Sequence, residues 1–294
     1  MAKKATEKSA SRPLEAGEVV VLRDRRERRY RVKLKPGGEY HTHMGPLSHD
    51  DLIGHEEGGF VATTKGNKFL VLRPTLTEAV QELPRHSQVI YSKDLGAILM
   101  HGDIFPGARV LEIGLGSGAT SSALLRAIGQ GGSLVTYEVR EEVIEGAKRN
   151  IAELVADPSN HTVQLRDAYE EGISEQGLDR IVMDVPEPWR LVERAAGALR
   201  PGGILLSYLP TVLQVHQLGM ALQEERRFQL PETVELLERP WHVTKQSIRP
   251  EHRMIAHTGF ITTARRCEPA PAWGKPVVET VAVEAVEAEA DPLT

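Results

Sequence analysis

The chain predicts an α/β architecture: a doubly wound, Rossmann-like sheet preceded by a small N-terminal β domain. Three observations lead there. From residue 108 onward, strand-like apolar runs alternate with helix-period segments, as in a parallel sheet covered on both faces. The first of those strands runs into Gly114-Leu-Gly-Ser-Gly118, and a helical pattern begins directly after it. Residues 17–73 instead carry short alternating or apolar runs, separated by Gly-Gly and Lys-Gly-Asn turns.

Each element follows from its own pattern. In the front unit, Glu18-Val-Val-Val-Leu-Arg, Arg29-Tyr-Arg-Val-Lys-Leu and Lys68-Phe-Leu-Val-Leu-Arg read as strands. Residues 76–105 carry helical patterns that lead into the sheet. Strands are then expected over 108–113, 133–138, 162–166, 179–184 and 203–209, and helices over 118–129, 141–155, 188–199 and 211–224. Two further strands, near 231–238 and 257–265, are joined by an irregular segment and are expected as a closing antiparallel hairpin. The domain limits that follow are a disordered tail over 1–16, a β domain over 17–75, a sheet domain over 76–267 and a disordered tail over 268–294.

The net charge of −5 is carried by that last tail. Residues 268–294 hold six acids (Glu268, Glu279, Glu284, Glu287, Glu289, Asp291) and one base, Lys275, which leaves 35 bases against 35 acids elsewhere. Local clusters therefore matter more than the total. Between Arg23 and Lys35 stand Arg25, Arg26, Arg28, Arg29, Arg31 and Lys33, against only Asp24 and Glu27. Such a run is either a solvated hairpin tip or a patch that contacts phosphates. No apolar run approaches the roughly 18 residues that span a bilayer, and the first residues lack the apolar core of a signal peptide. A lone cysteine, Cys267, excludes an intrachain disulfide and a cysteine metal site. His41, His43, His49 and His55 cluster, but without a supporting ligand type, so no metal is expected. A cytoplasmic location and no membrane contact are the corresponding expectations.

The glycine loop admits two cofactors. Gly114, Gly116 and Ala119 satisfy the looser dinucleotide pattern, while Glu112 with Gly114, Gly116 and Gly118 fits the pattern of S-adenosylmethionine (SAM) methyltransferases. Glu138, closing the next strand, suits ribose hydroxyls in either case and does not separate them. Asp184-Val-Pro-Glu-Pro-Trp189 does. Pro186 and Pro188 stiffen the turn and present Asp184 and Trp189 rigidly at a strand end. The segment resembles the Asp/Asn-Pro-Pro-aromatic loop of enzymes that methylate nitrogens. A carboxylate there accepts nucleobase amino hydrogens and stabilises the positive charge that develops on the base. Asp167, closing Val163-Gln-Leu-Arg-Asp, stands where such enzymes hold the cofactor's adenine; a plain helix cap explains it too.

Four further segments make the resemblance specific: Gln88-Val-Ile-Tyr-Ser-Lys-Asp94, Ser207-Tyr-Leu-Pro-Thr-Val-Leu-Gln214, Arg239-Pro-Trp-His-Val243, and Arg249-Pro-Glu-His-Arg-Met-Ile-Ala-His-Thr-Gly-Phe260. Together with the two loops they cover residues 17–267, and the chain resembles the tRNA (adenine-58-N1)-methyltransferase family. One departure is Val185, where Met or Leu is the usual residue. The resemblance implies methyl transfer from SAM, with S-adenosylhomocysteine as product, to ring N1 of a tRNA T-loop adenine. It also implies a homotetramer. It places SAM against Ser117, Gly118, Ala119, Thr120, Glu138, Val143 and Asp167, with Gln88 at its methionine part. Asp184 would take the target's amino group, flanked by Tyr91 and Tyr208. The target must leave its stack before chemistry, so Trp241, His242, Arg249, His252 and Arg253 are candidate RNA contacts. A methyltransferase for protein or small molecules and a non-catalytic RNA-binding partner subunit are the alternatives.

Overall fold

The computed structural model of the chain describes residues 12–83 and 89–269. The front unit is a four-stranded antiparallel sheet in the order β2-β1-β6-β5, built from β1 (Val19–Arg23), β2 (Arg29–Lys33), β5 (Phe60–Ala62) and β6 (Lys68–Leu72). A separate hairpin joins β3 (Glu39–Thr42) to β4 (Gly45–Ser48). Alternation puts Val20, Leu22, Val32, Phe69 and Val71 into one small core. Leu14 belongs to that core at 1% exposure, and its backbone N–H donates to His55 at 2.8 Å. Packing of the front unit thus includes a residue ahead of position 17. Residues 1–11 and 270–294, expected as tails, lie outside the described residues, as does Gln88.

The cluster of front-unit bases is largely neutralised. Arg31 and Lys33 reach Glu153 at 2.5 and 3.1 Å, Arg23 and Arg29 reach Glu78 at 2.7 and 3.4 Å, and Arg28 reaches Asp24 at 2.7 Å. Glu78 lies in α1 (Leu76–Gln81), whose N-terminus is closed by a capping box with Thr75. Glu153 lies in α4 (Glu141–Leu154). Part of the run therefore fastens the β unit to the helices. The histidines serve local structure: buried His49 accepts from the Lys35 backbone N–H at 3.0 Å, and His43 pairs with Arg28 at 2.9 Å.

After α1 and α2 (Ser92–His101) the sheet domain alternates as predicted, with one short helix, α5 (Ala168–Glu171), that the pattern did not show: β7 (Arg109–Ile113), α3 (Ala119–Ile128), β8 (Ser133–Glu138), α4, β9 (His161–Leu165), α5, β10 (Leu178–Met183), α6 (Val192–Ala198), β11 (Leu199–Leu209), α7 (Val212–Glu224) and β12 (Phe228–Glu235). Then come β13 (Trp241–Val243), β14 (Ile248–Pro250) and β15 (Phe260–Arg266). The sheet order is β12-β15-β11-β10-β7-β8-β9, parallel from β11 to β9 and antiparallel at β15. The two closing strands do pair, but β15 inserts between β12 and β11 rather than capping the edge. The segment joining them, expected to be irregular, forms its own hairpin from β13 and β14.

Strand alternation divides the core between the two faces. Val110, Val182 and Leu206 pack under α2 and α3 with Ile98 and Leu124, while Leu111, Ile181, Met183 and Leu205 pack with Ala195 of α6 and Leu218 of α7. The chain winds outward from β7 in one direction through β8 and β9, then returns to β10 on its other side. That reversal opens a crevice at the carboxyl ends of β7, β8 and β10, where open α/β sheets bind their ligands.

Candidate active site

A cavity of about 350 Å³ occupies that crevice, bounded by Gly114, Glu138, Arg140, Asp167, Tyr169 and Asp184 among others. The volume lies within the range of small-molecule sites. Its floor is the glycine turn. Gly114 has φ +102°, and a Cβ there would stand 2.4 Å from the Asp184 carbonyl oxygen. Gly118 has φ +83° and leaves no room for a Cβ against Ile151, 2.8 Å away. Only glycine permits both the left-handed turn and this closeness. Asn150 of α4 then holds the loop from behind, donating to the Ser117 carbonyl at 3.0 Å.

Glu138, at the end of β8, is nearly buried and fully engaged. It accepts from the Gly116 N–H at 3.2 Å and from the Arg140 backbone N–H and Nε, both at 3.0 Å. Burial alone would raise its pKa, but the hydrogen bonds and charge of Arg140 prevail and hold it below the usual range. Glu112 is different. It is 1% exposed and lies beneath the loop rather than in the cavity lining, where Oε2 accepts from Ser121 at 2.5 Å and Thr136 at 2.7 Å. Its other oxygen has no hydrogen-bond partner. Burial, aided by the charges of Asp184 and Glu138, pushes its pKa up to about 8.

Asp184 follows the last residue of β10 and stands at the mouth of the cavity. Its carboxyl takes no hydrogen bond from any described residue. The residue retains solvent access, yet the surrounding walls and the charge of Glu138 push its pKa up to about 6. Water in the open mouth works against that shift, and a bound cation would oppose it further.

The other expected residues divide in two. Asp167 lines the cavity and also caps α5, accepting from the Tyr169 N–H at 2.8 Å. Ser117, Ala119, Thr120 and Val143 are buried around the loop and the start of α4. Tyr208, 8% exposed at the end of β11, is packed in the core beside the crevice, with its hydroxyl toward Asp94 at 3.4 Å. Tyr91 precedes α2 and is partly exposed. Trp241, His242 and Arg249 lie on the β13–β14 hairpin, away from the cavity lining. Tyr169 was missed by the sequence reading. Its hydroxyl accepts from the Glu187 N–H at 3.0 Å and the Arg190 guanidinium stacks 4.4 Å over its ring, so it ties the Asp167 turn to the Asp184 loop. An aromatic two residues after a strand-end acid was the available clue.

The residues present fit a sulfonium cofactor better than a pyrophosphate. Glu138 and Asp184 place negative charge at one crevice, and the base lining it beside them, Arg140, already serves Glu138, while Arg166 turns to the Glu171 and Gly172 carbonyls. A cation relieves that mutual repulsion, whereas a dianion adds to it. The comparisons agree. The family described as tRNA methyltransferase complex GCD14 subunit matches residues 68–265, and the TrmI-like N-terminal family matches residues 13–61. The chain belongs to the tRNA (adenine-58-N1)-methyltransferase family.

Within that family, tRNA (adenine(58)-N(1))-methyltransferase TrmI of Thermus thermophilus is 36% identical over 84% of this chain and 96% of its own length. A Methanocaldococcus jannaschii relative, named for adenines 57 and 58, is 31% identical over 83% of this chain and 94% of its own. The crystal structure of tRNA (m1A58) methyltransferase TrmI from Aquifex aeolicus superposes with a TM-score of 0.75 at 30% identity, covering 87% of this chain and all of that one. A Thermotoga maritima structure described as a SAM-dependent O-methyltransferase gives 0.81 at 32% identity, over 88% and 96% of the two chains. The seven-stranded sheet is thus a SAM-methyltransferase sheet with the family's front β unit.

Proposed function

We propose that this protein transfers a methyl group from SAM to ring N1 of adenine 58 in tRNA, with Asp184 as the group that receives the target base. The observation that carries this reading is the Asp184 carboxyl: presented at the carboxyl end of β10, opening on the cavity and unpartnered among the described residues. An acceptor left without partners beside a cofactor crevice suits an amino group on the incoming substrate.

SAM supplies an electrophilic methyl on a sulfonium. Glu138 receives ribose hydroxyls, Asp167 the cofactor's adenine amino group, and the backbone from Gly114 to Thr120 passes close beneath, with Gln88 and Val143 assigned to the methionine and adenosine parts. Asp184 accepts the target's exocyclic amino hydrogens, which fixes N1 on the line of attack, and its charge stabilises the positive charge growing on the ring. Tyr91 and Tyr208 flank the extruded base. The partner is tRNA, the enzyme acts in the cytoplasm, and the assembly is a homotetramer. Apolar side chains exposed on the β13–β14 hairpin, with Trp241 57% and Ile248 72% exposed, support assembly. No helix among the described residues is long and apolar enough to cross a membrane.

The test is direct. Purified protein, SAM and unmodified tRNA should yield 1-methyladenosine at position 58. Asp184→Ala should lose on the order of a hundredfold or more in rate while still binding SAM in calorimetry. No methyl transfer by the unaltered protein to any tRNA would overturn the assignment. Sedimentation of the same preparation decides the tetramer.

A further inference from the structure

We propose that Asp94 and Gly259 are positioning residues for Tyr208, one setting its hydroxyl and the other its ring at the acceptor side of the crevice. The proposal rests on the reading of Asp184 and Tyr208 as walls of the adenine site.

Asp94 lies in the first turn of α2 and is 0% exposed. Its Oδ1 accepts from Lys93 Nζ at 2.7 Å, and its Oδ2 from Thr258 Oγ1 at 2.6 Å and the Tyr208 hydroxyl at 3.4 Å. Lys93 donates further to the Leu236 carbonyl at 2.8 Å and to Thr258 Oγ1 at 2.6 Å. The Lys93–Asp94 pair therefore gathers α2, the end of β11, the exit of β12 and the approach to β15. A buried ion pair is weak support for stability, since apolar packing serves a core as well or better. Its location against Tyr208 points to a different use.

An ionised carboxylate can only accept, so the Tyr208 O–H is the donor between them. With its proton directed at Asp94, the phenol oxygen keeps its lone pairs as acceptors, with the Thr258 hydroxyl as their neighbour. That is the state in which it can accept an amino hydrogen or face a ring gaining positive charge. Burial, with the charges of Asp94 and Asp184, outweighs the opposing Thr258 hydrogen bond and raises the Tyr208 pKa well above the usual phenol range, so the proton stays in place. The separation of 3.4 Å is longer than an ordinary O–H···O bond and leaves room to tighten as substrate enters.

Gly259 fixes the ring. A Cβ at that position would stand 2.4 Å from Tyr208 Cζ and 2.6 Å from its oxygen, so the aromatic ring lies directly on bare backbone. No left-handed backbone angle requires glycine here, which leaves the contact itself as the reason. Two adjacent residues of the sequence His257-Thr258-Gly259-Phe260 thus serve one tyrosine: Thr258 through Asp94, and Gly259 by its lack of a side chain.

The experiment compares methyl transfer to tRNA by the unaltered protein, Asp94→Asn, Gly259→Ala, Tyr208→Phe and the double variant Asp94→Asn/Tyr208→Phe, with SAM binding measured alongside. Asp94→Asn and Gly259→Ala should each lower kcat on the order of ten- to a hundredfold, with KM for tRNA and Kd for SAM within about threefold. Added to Tyr208→Phe, Asp94→Asn should change kcat by less than about twofold, because the hydroxyl through which it acts is already gone. An equal loss in both backgrounds, or full kcat in both single variants, would overturn the proposal. If Asp94→Asn fails to bind SAM because it does not fold, Gly259→Ala still decides. Absence of 1-methyladenosine from the unaltered protein sinks the proposed function instead.

Discussion

The backbone nitrogen of Asp184 donates to the Ile113 carbonyl at 2.9 Å, and the Asp184 carbonyl oxygen would lie 2.4 Å from a Cβ on Gly114. Cofactor turn and acceptor loop are therefore pressed together, and glycine is what lets them meet. Gly114→Ala must push these two strand ends apart as well as strain a φ of +102°. The expected outcome is loss of measurable SAM binding by calorimetry, with methyl transfer falling at least about a hundredfold. Unchanged affinity would mean the turn relaxes without cost.

Asp184 also sets a pH limit. It must be ionised to accept amino hydrogens and oppose positive charge, and its pKa is raised to about 6 by burial and by Glu138. At saturating SAM, kcat/KM for tRNA should fall roughly tenfold per unit on the acid side of a limb that lies at or below about pH 6. Asp184→Asn should be slow and flat across the same interval. A bound sulfonium moves the limb to lower pH, so a limb found well below 6 reports how strongly cofactor and carboxylate interact.

The sheet was legible because buried parallel strands and amphipathic helices have distinct periods, and because Gly114, Gly116 and Gly118 mark a turn with positive φ at all three glycines. Glu138, Asp167 and Asp184 were legible as acids closing strands, and all three line the cavity. What could not be read was partnership across the fold. Nothing near Arg31 in sequence announces Glu153, 122 positions away, and so most of a basic run that suited either a solvated hairpin tip or a phosphate patch is spent on ion pairs within the chain. In the same way Glu112 fits a cofactor motif, yet its carboxyl is held by Ser121 and Thr136 beneath the loop.

That buried carboxyl has a consequence for stability. An unfolded glutamate titrates near 4.5, whereas Glu112 in the fold titrates at about 8. Below about 4.5 both states are protonated and the contribution of Glu112 is fully present. As pH rises toward and through about 8, the unfolded chain ionises freely and that contribution is lost. Glu112→Gln should therefore be indistinguishable from the unaltered protein or slightly less stable at pH 5, and more stable at pH 9. Urea denaturation at both pH values reads the crossover; parallel curves across the range would mean Glu112 is ionised throughout.

The remaining bases of the front unit separate the two uses of positive charge. Arg25 and Arg26 are exposed on the turn between β1 and β2, and their guanidinium groups pair with no described carboxylate, whereas Arg31 and Lys33 share Glu153. Each phosphate contact releases counterions, so loss of two contacts lowers the slope of log affinity against log salt by about 1 to 2. Replacing Arg25 and Arg26 together by alanine should weaken tRNA binding and reduce that slope in a filter-binding titration. Arg31→Ala should leave the slope unchanged and lower stability by no more than about 1 kcal/mol, the usual limit for a partly exposed pair. A reduced slope for Arg31→Ala would show that Glu153 gives up its partner when tRNA arrives, and that the bases fastening the β unit also contact the nucleic acid.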